Sequence, residues 1–274
     1  MGFVDIMAFQ TKVLGTKEEN LKQMAECMEK ADLKNVDMVT FPEMFLCPYE
    51  TKCFPVFAER EGERAWQWFS RLAKTYRVYL SAGTMPELGE DGRIYNTAYV
   101  FDREGRQIAK HRKIHLFDVD IQGGQYFKES ETLSPGNEAT VFDTEFGKMG
   151  LCICYDFRFP ELARQMVNRG AQLFIVPAAF NMTTGPAHWE LLYRSRAVDN
   201  QVFTVGTAPA RDMTASYHSW GHSLVVNPWG EVLEMLDEKE GSLRCRLDLE
   251  QTEAVRRQLP LLAHRRRDIY PAEF

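Results

Sequence analysis

The run GLCICYDFRFPE, residues 150–161, decides the architecture of this chain. Leu151, Ile153 and their apolar neighbours read as a buried strand, Pro160 suits the first turn of a helix, and a helical pattern begins at Glu161 and stops at Gly170. A strand that feeds a helix in this way puts Cys154 at the strand's carboxyl end. In α/β sheets that is where backbone N–H groups and side chains converge on a ligand. A lone strand cysteine is more commonly packing than chemistry, and a free thiol with a pKa of about 8.5 is a poor nucleophile at neutral pH without a base or a cation beside it. Cys154 therefore matters only in the company of other unusually placed charges.

Working outward toward the N-terminus, residues 3–9 read as a strand, and Thr16 with Glu19 forms a T-x-x-E capping box at the head of a helix. Residues 36–41 form the next strand, closed by Pro42. Glu43 follows, among Phe41, Pro42, Met44 and Phe45, an apolar setting that raises a carboxyl pKa toward the range of a general base. The loop CPYETKCFPVFAER, residues 47–60, is long enough to wall a pocket, and Tyr49 within it can hydrogen-bond a substrate. An amphipathic helix through residues 66–76 and a strand at 78–82 complete a βαβαβ order, the signature of a sheet with helices outside it.

The rhythm then changes. Residues 94–101 and 107–112 read as a hairpin turning at 102–105, and Lys113 ends its second arm. A strand-end lysine is ordinarily solvated, yet here apolar residues follow in KIHLFD, a setting that suits a fixed electrophile. The segment from there to Ser130 shows no period and carries Gly123 and Gly124, so it reads as a mobile lid ending at Glu129. Residues 141–144 and 149–154 form another hairpin, with Cys152 and Cys154 on one face of its second strand. After the helix at 161–169 come a strand at 173–177, a Thr- and Gly-rich loop, a helix over 189–200, and strands at 202–208, 219–227, 232–236 and 242–248. Residues 258–274 read as a tail across a surface or a dimer interface.

Bulk properties limit the function. With 274 residues, 45% apolar and 26% charged, the chain fits one large α/β or sandwich domain over residues 1–274. Its net charge of -6 gives no footprint for nucleic acid. The opening lacks the basic and apolar regions of a signal peptide, so the six cysteines are expected as thiols in a reducing cytoplasm. No apolar run reaches membrane-spanning length, and no cysteine spacing suits a metal.

Glu43, Lys113, Glu129 and Cys154 together supply two carboxylates, an ammonium and a thiol, the set that thiol-dependent acyl transfer needs. FPEMF around Glu43, HRKIHLFD around Lys113 and GLCICYDFRFPE around Cys154 resemble the Glu-Lys-Cys signature of the nitrilase (carbon-nitrogen hydrolase) superfamily, and the resemblance runs nearly end to end. CPYETKCFP, KIHLFDVDI, FKESETLSPG, AFNMTTGPAHWELLYRSRAVDNQVF and WGHSLVVNPWGEV are most similar to its omega-amidase branch.

The resemblance implies a four-layer αββα sandwich of two mixed sheets packed face to face with helices outside. It also implies a homodimer joined through helices, no cofactor, and hydrolysis of a small-molecule amide, the monoamide of a 2-oxo dicarboxylate, through a Cys154 thioester. Glu129 in FKES matches the second glutamate of the signature, and the Tyr155 N–H joins Lys113 around the oxyanion. Arg158, Tyr49 and the hydroxyls of Thr183 and Thr184 are candidates for the distal carboxylate, while Arg158 could equally pair with Asp156 or Glu161. A deaminated-glutathione amidase, an N-carbamoyl hydrolase or a nitrilase remains open within the superfamily. Outside it stand a Cys-His thiol hydrolase, using one of His111, His115, His188, His218, His222 or His264, and a non-catalytic amide-binding protein.

Overall fold

Residues 2–269 are described by the structure, a computed structural model. The first half opens with β1 (Phe3–Gln10), α1 (Lys17–Lys30), β2 (Met38–Thr40), the single turn α2 (Phe54–Phe57), α3 (Arg64–Tyr76), β3 (Tyr79–Leu88), β4 (Ile94–Phe101) and β5 (Gln107–Arg112). The Thr16 capping box is present: its hydroxyl accepts the Glu19 N–H at 3.2 Å and the Glu19 carboxylate accepts the Thr16 N–H at 3.1 Å. Next come the short strands β6 (Asp118–Asp120) and β7 (Tyr126–Lys128). The second half holds β8 (Thr140–Thr144), β9 (Gly147–Leu151), α4 (Pro160–Asn168), β10 (Leu173–Pro177), α5 (Gly185–Asn200), β11 (Phe203–Thr207), β12 (Leu224–Val226), β13 (Val232–Met235), β14 (Gly241–Asp248) and α6 (Glu250–Gln258).

Two six-stranded mixed sheets result, ordered β14-β1-β2-β3-β4-β5 and β13-β12-β11-β10-β9-β8. Strands β1, β2 and β3 are mutually parallel, as are β9, β10 and β11, and antiparallel strands flank both sets. The alternation along β1 decides the layering. Val4, Ile6 and Ala8 enter the core shared with the second sheet, whereas Met7 and Phe9 enter the separate core beneath α1 and α3. Strand β4 divides likewise, Ala98 and Val100 inward, Tyr99 and Phe101 toward the helices. On the other side α4 and α5 cover the second sheet through Leu162, Met166, Trp189, Tyr193 and Ala197. The architecture is thus the expected αββα sandwich, and burial on both faces explains why its strands read as near-continuous apolar runs.

Four readings need correction. The lid carries the β6–β7 hairpin, turning at Gly123 with φ 69°, because three-residue strands are too short to show a period. Strand β9 stops at Leu151, and Cys154 opens a 3₁₀ turn with φ 47°, so Cys152 and Cys154 do not share a strand face. The strand expected over 219–227 is only β12, since left-handed Gly221 and His222, with φ 77° and 63°, break the extended chain before it. Finally, α6 precedes the tail and was illegible because Thr252 is its one buried residue. The tail's last residues, 270–274, lie outside the described residues; earlier in it, Leu262 packs on the central core.

One glycine ties the first sheet to the loop that carries Glu43. Between Ser81 and Thr84 the register of β3 with β4 slips, and Gly83 takes φ +64° with its Cα pressed on the preceding loop. A Cβ there would stand 2.2 Å from the Pro42 carbonyl oxygen and 2.9 Å from the Phe45 ring. Gly83→Ala is expected to cost about 2 kcal/mol or more, from the left-handed backbone and the clash together. Thermal denaturation should show a midpoint lowered by roughly 5 °C or more; an unchanged midpoint would refute the steric account.

Candidate active site

The candidate residues sit at element ends, each held by the backbone behind it. Glu43 follows β2, where the Pro42 carbonyl accepts the Thr84 N–H at 3.1 Å and the Met44 N–H donates to Thr84 Oγ1 at 2.8 Å. Lys113 follows β5; its N–H donates to Asn96 O and its carbonyl accepts from Gly136 N–H, both at 2.8 Å. Glu129 opens a 3₁₀ turn directly after β7. Cys154 opens the 3₁₀ turn after β9, and its left-handed backbone re-aims the side chain away from the strand direction.

These four side chains meet. Lys113 Nζ donates to Glu43 Oε1 and to Glu129 Oε1, both at 2.9 Å, and all three side chains are fully buried. Burying an ammonium costs several kcal/mol unless charges and hydrogen bonds surround it, and here two carboxylates do so. Asn96 Nδ2 donates to Glu43 Oε1 at 2.8 Å, and the Phe117 N–H donates to Glu129 Oε2 at 2.7 Å. The Tyr49 hydroxyl lies 2.7 Å from Glu129 Oε1 and 3.1 Å from Glu43 Oε1, and its single proton serves one at a time. Tyr49 is therefore engaged with the carboxylates rather than free for a substrate.

Glu43 Oε2 is buried with no partner of ordinary hydrogen-bond geometry, and the Cys154 thiol also interacts with the carboxylate. Burial pushes the Glu43 pKa up, Lys113 pulls it down, Glu129 pushes it up again, and the balance lies above the ordinary carboxyl value. Burial would lower the Lys113 pKa, but Glu129 and Glu43 outweigh it and keep the ammonium charged. For Cys154, burial and then Glu43 raise the pKa well above the ordinary thiol, against Lys113 and the Ala179 N–H. Cys154 thus rests as a thiol beside a carboxylate able to take its proton. Proton transfer on attack suits this pairing better than a standing thiolate.

Asp156, expected as a partner for Arg158, instead binds the lysine loop to the Cys154 turn. Its Oδ1 accepts from Ile114 N at 3.1 Å, His115 N at 2.8 Å and His115 Nδ1 at 2.8 Å. Its Oδ2 accepts from Ile153 N at 3.1 Å and pairs with His111 Nε2 at 3.0 Å. Burial opposes its ionisation, yet the hydrogen bonds from His111 and then His115 prevail and hold its pKa far below the usual range. Both histidines are thereby occupied. His188 contacts Arg158, His222 stacks on Trp220, and among the described residues no histidine is hydrogen-bonded to Cys154. The Cys-His alternative finds no geometric support.

Arg158 meets neither Asp156 nor Glu161. It contacts His188 Nδ1 at 3.0 Å and lies over the Phe180 and Tyr155 rings, its Nε is buried without a partner, and burial lowers its pKa. The Tyr155 N–H falls in the first turn of a 3₁₀ segment, where N–H groups have no intrahelical acceptor. The Thr184 hydroxyl is buried and donates to Asn181 Oδ1 at 3.2 Å, while the exposed Thr183 turns its methyl toward Gly124 of the lid. Sequence reasoning missed Asn96, Asp156 and Tyr217, whose ring stacks on Tyr49 at 4.5 Å. Only Asp156, inside the nucleophile run, lay close enough in sequence to be suspected.

The two-sheet sandwich is the fold of hydrolases that act on carbon-nitrogen bonds. The chain belongs to the carbon-nitrogen hydrolase family, whose model matches residues 7–257. It is similar to the omega-amidase NIT2-A of Xenopus laevis, 48% identical over 96% of this chain and 95% of that one. The human omega-amidase NIT2 is 46% identical with the same coverage. Among solved structures, Nit3 of Saccharomyces cerevisiae, a member of branch 10 of the nitrilase superfamily, superposes with a TM-score of 0.89 at 40% identity, covering 97% of each chain. A carbon-nitrogen hydrolase from Helicobacter pylori gives 0.84 at 28% identity over 98% and 97% of the two chains.

Asp156→Asn keeps the side-chain volume but turns one accepting oxygen into a donor facing donors, a loss of about 3 kcal/mol for a buried charged acceptor. The loops of Lys113 and Cys154 would shift by a fraction of an ångström. Misplacement on that scale lowers kcat/KM by about 100-fold. Steady-state kinetics beside circular dichroism should show the loss with secondary structure retained; wild-type kinetics would remove Asp156 from the account.

Proposed function

We propose that this chain is an omega-amidase, hydrolysing the side-chain amide of short 2-oxo dicarboxylate monoamides such as 2-oxoglutaramate and 2-oxosuccinamate. The observation that carries the reading is an Arg158 cation, four residues past Cys154 and lying over the Tyr155 and Phe180 rings, that has no carboxylate partner among the described residues and whose Nε is buried unpaired. An amide bound with its carbonyl at Cys154 would bring its distal carboxylate toward that guanidinium. The similarity to omega-amidases over nearly the whole chain supports the same substrate class.

The roles follow from the contacts. Glu43 takes the Cys154 proton as sulfur attacks the amide carbon. The oxyanion is held by the Lys113 ammonium and the Tyr155 N–H, and loss of one such donor costs about 3 kcal/mol of transition-state stabilisation. Collapse breaks the C–N bond, Glu43 returns the proton to the departing ammonia, and a thioester remains on Cys154. Glu43 then activates water, which releases the acid and restores the thiol. Glu129 orients Lys113 through their 2.9 Å contact, and Tyr49 braces both carboxylates. No step requires a cofactor.

The six cysteines are all free thiols, and among the described residues no helix is long and apolar enough to cross a membrane, which supports the cytoplasm as the compartment. The outer face of α5 exposes Leu191 and Val198, with Trp229 exposed near its C-terminal end. We read this face as the contact between two copies of a single-domain chain. Val198→Glu is expected to convert a dimer to a monomer in sedimentation velocity. A wild-type monomer at micromolar concentration would refute the assembly.

Arg158→Leu should lower kcat/KM for 2-oxoglutaramate by about 100-fold while changing that for an uncharged short amide less than about threefold. Ammonia release across a panel with glutamine, asparagine, nitriles and carbamoyl amino acids provides the measurement. Preference for a nitrile or a carbamoyl compound would overturn the substrate assignment.

A further inference from the structure

In the 3₁₀ turn Cys154–Arg158 the carbonyl of Phe157 would accept from the residue three further on, but that residue is Pro160, which has no N–H. The donor comes instead from α5. Arg196, 7% exposed, sets one edge of its guanidinium on the turn, Nε on Phe157 O at 3.1 Å and Nη2 on Arg158 O at 2.7 Å, while Nη1 reaches Asp199 Oδ2 at 3.4 Å. The end of the turn, and with it the backbone of Arg158, is thereby bonded to α5.

The Arg158 side chain is held by the same helix. Its guanidinium carbon lies 4.5 Å from the centre of the Phe180 ring, which packs edge-on at 5.1 Å against Trp189 of α5. Its Nη1 lies 3.0 Å from Nδ1 of His188, in the first turn of α5. A guanidinium carries only donors, so Nδ1 accepts and His188 is the neutral tautomer with its proton on Nε2. One edge of Arg158 is left over. Its Nε is buried and unpaired, and among the described residues no hydrogen bond engages its Nη2. Nε and Nη2 share the edge that meets a carboxylate through two parallel bonds.

From this arrangement we infer that His188 is a positioning residue that sets substrate specificity: by taking Nη1 it presents the Nε–Nη2 edge of Arg158 to the substrate's distal carboxylate, which binds through both oxygens. The inference rests on the omega-amidase reading above and adds to it the residue that aims the cation. Contact with the Phe180 ring tolerates rotation of the guanidinium in its own plane, so without the His188 acceptor the free edge loses its direction. A reactant with no charge at that end does not depend on the direction. His188 is exposed, and its replacement leaves the fold intact.

The test uses full-length protein and two probes. Steady-state kinetics with 2-oxoglutaramate report the carboxylate contact, and the rate at which iodoacetamide, an uncharged amide, alkylates Cys154, followed by peptide mass, reports the nucleophile alone. His188→Leu is expected to raise KM for 2-oxoglutaramate about tenfold, with kcat and the alkylation rate within about twofold of wild type. His188→Asn, which restores an acceptor close to the position of Nδ1, should return KM to within about threefold. Added to Arg158→Leu, His188→Leu should change KM by less than about twofold, because the residue it aims is gone. An unchanged KM in His188→Leu beside a raised KM in Arg158→Leu would overturn the inference and leave the omega-amidase reading standing. A fall in kcat and alkylation together would also overturn it, since His188 would then support the turn as a whole. Arg158→Leu with wild-type KM, or a wild type that does not hydrolyse 2-oxoglutaramate, would remove the omega-amidase reading and this inference with it.

Discussion

A lysine side chain with no solvent contact, held 2.9 Å from each of two buried carboxylates, is the constraint on which this molecule is arranged. Leaving any one of these charges alone in the interior would cost several kcal/mol, so the loops after β2, β5 and β7 are obliged to converge. Their convergence is what makes a site. The two negative charges against one positive leave the cluster poised to share a proton, and the raised Glu43 pKa follows from burial and the second carboxylate together. A separate buried anion, Asp156, fastens the Cys154 turn to the segment around Lys113 through four contacts, to His111, Ile114 and His115, and accepts a fifth from Ile153 within its own turn. The cluster thus gains a fixed distance to sulfur without spending its own hydrogen bonds.

The sandwich explains why such a cluster can exist. Both sheets contribute strands whose carboxyl ends open at the same rim, and each has helices on its outer face, so the inner faces are largely apolar, with Thr40 and Thr207 paired across them at 2.6 Å. Left-handed backbone occurs there at Met44, beside Glu43, and at Cys154, where the chain leaves its strands abruptly. Such conformations are sustained because neighbouring bonds, such as Met44 N–H to Thr84, overdetermine them.

Much of this was readable beforehand. The strands of both parallel sets were legible because burial on two faces gives continuous apolar runs, and α1 because Thr16 and Glu19 announce its start. Strands of three residues at the lid, and α6 with one buried position, carry too little pattern to be read. Within the site, Glu43, Lys113 and Cys154 stood out because each interrupts or borders an apolar stretch, and Glu129 because it ends the lid and matches the second glutamate of the family signature. Asn96 and Tyr217 did not. They reach the cluster from strand and loop positions whose local sequence is unexceptional, and only long-range packing brings them there.

The sequence by itself determined the long elements and which charged or thiol side chains stand at their ends, because these depend on local periodicity and residue type. Tertiary structure alone decided that Arg158 has no carboxylate partner among the described residues, that Tyr49 serves the carboxylates, and that Thr184 is bound to Asn181. These are matters of which polar atoms are left over once distant segments have packed. No local pattern records what remains unpaired.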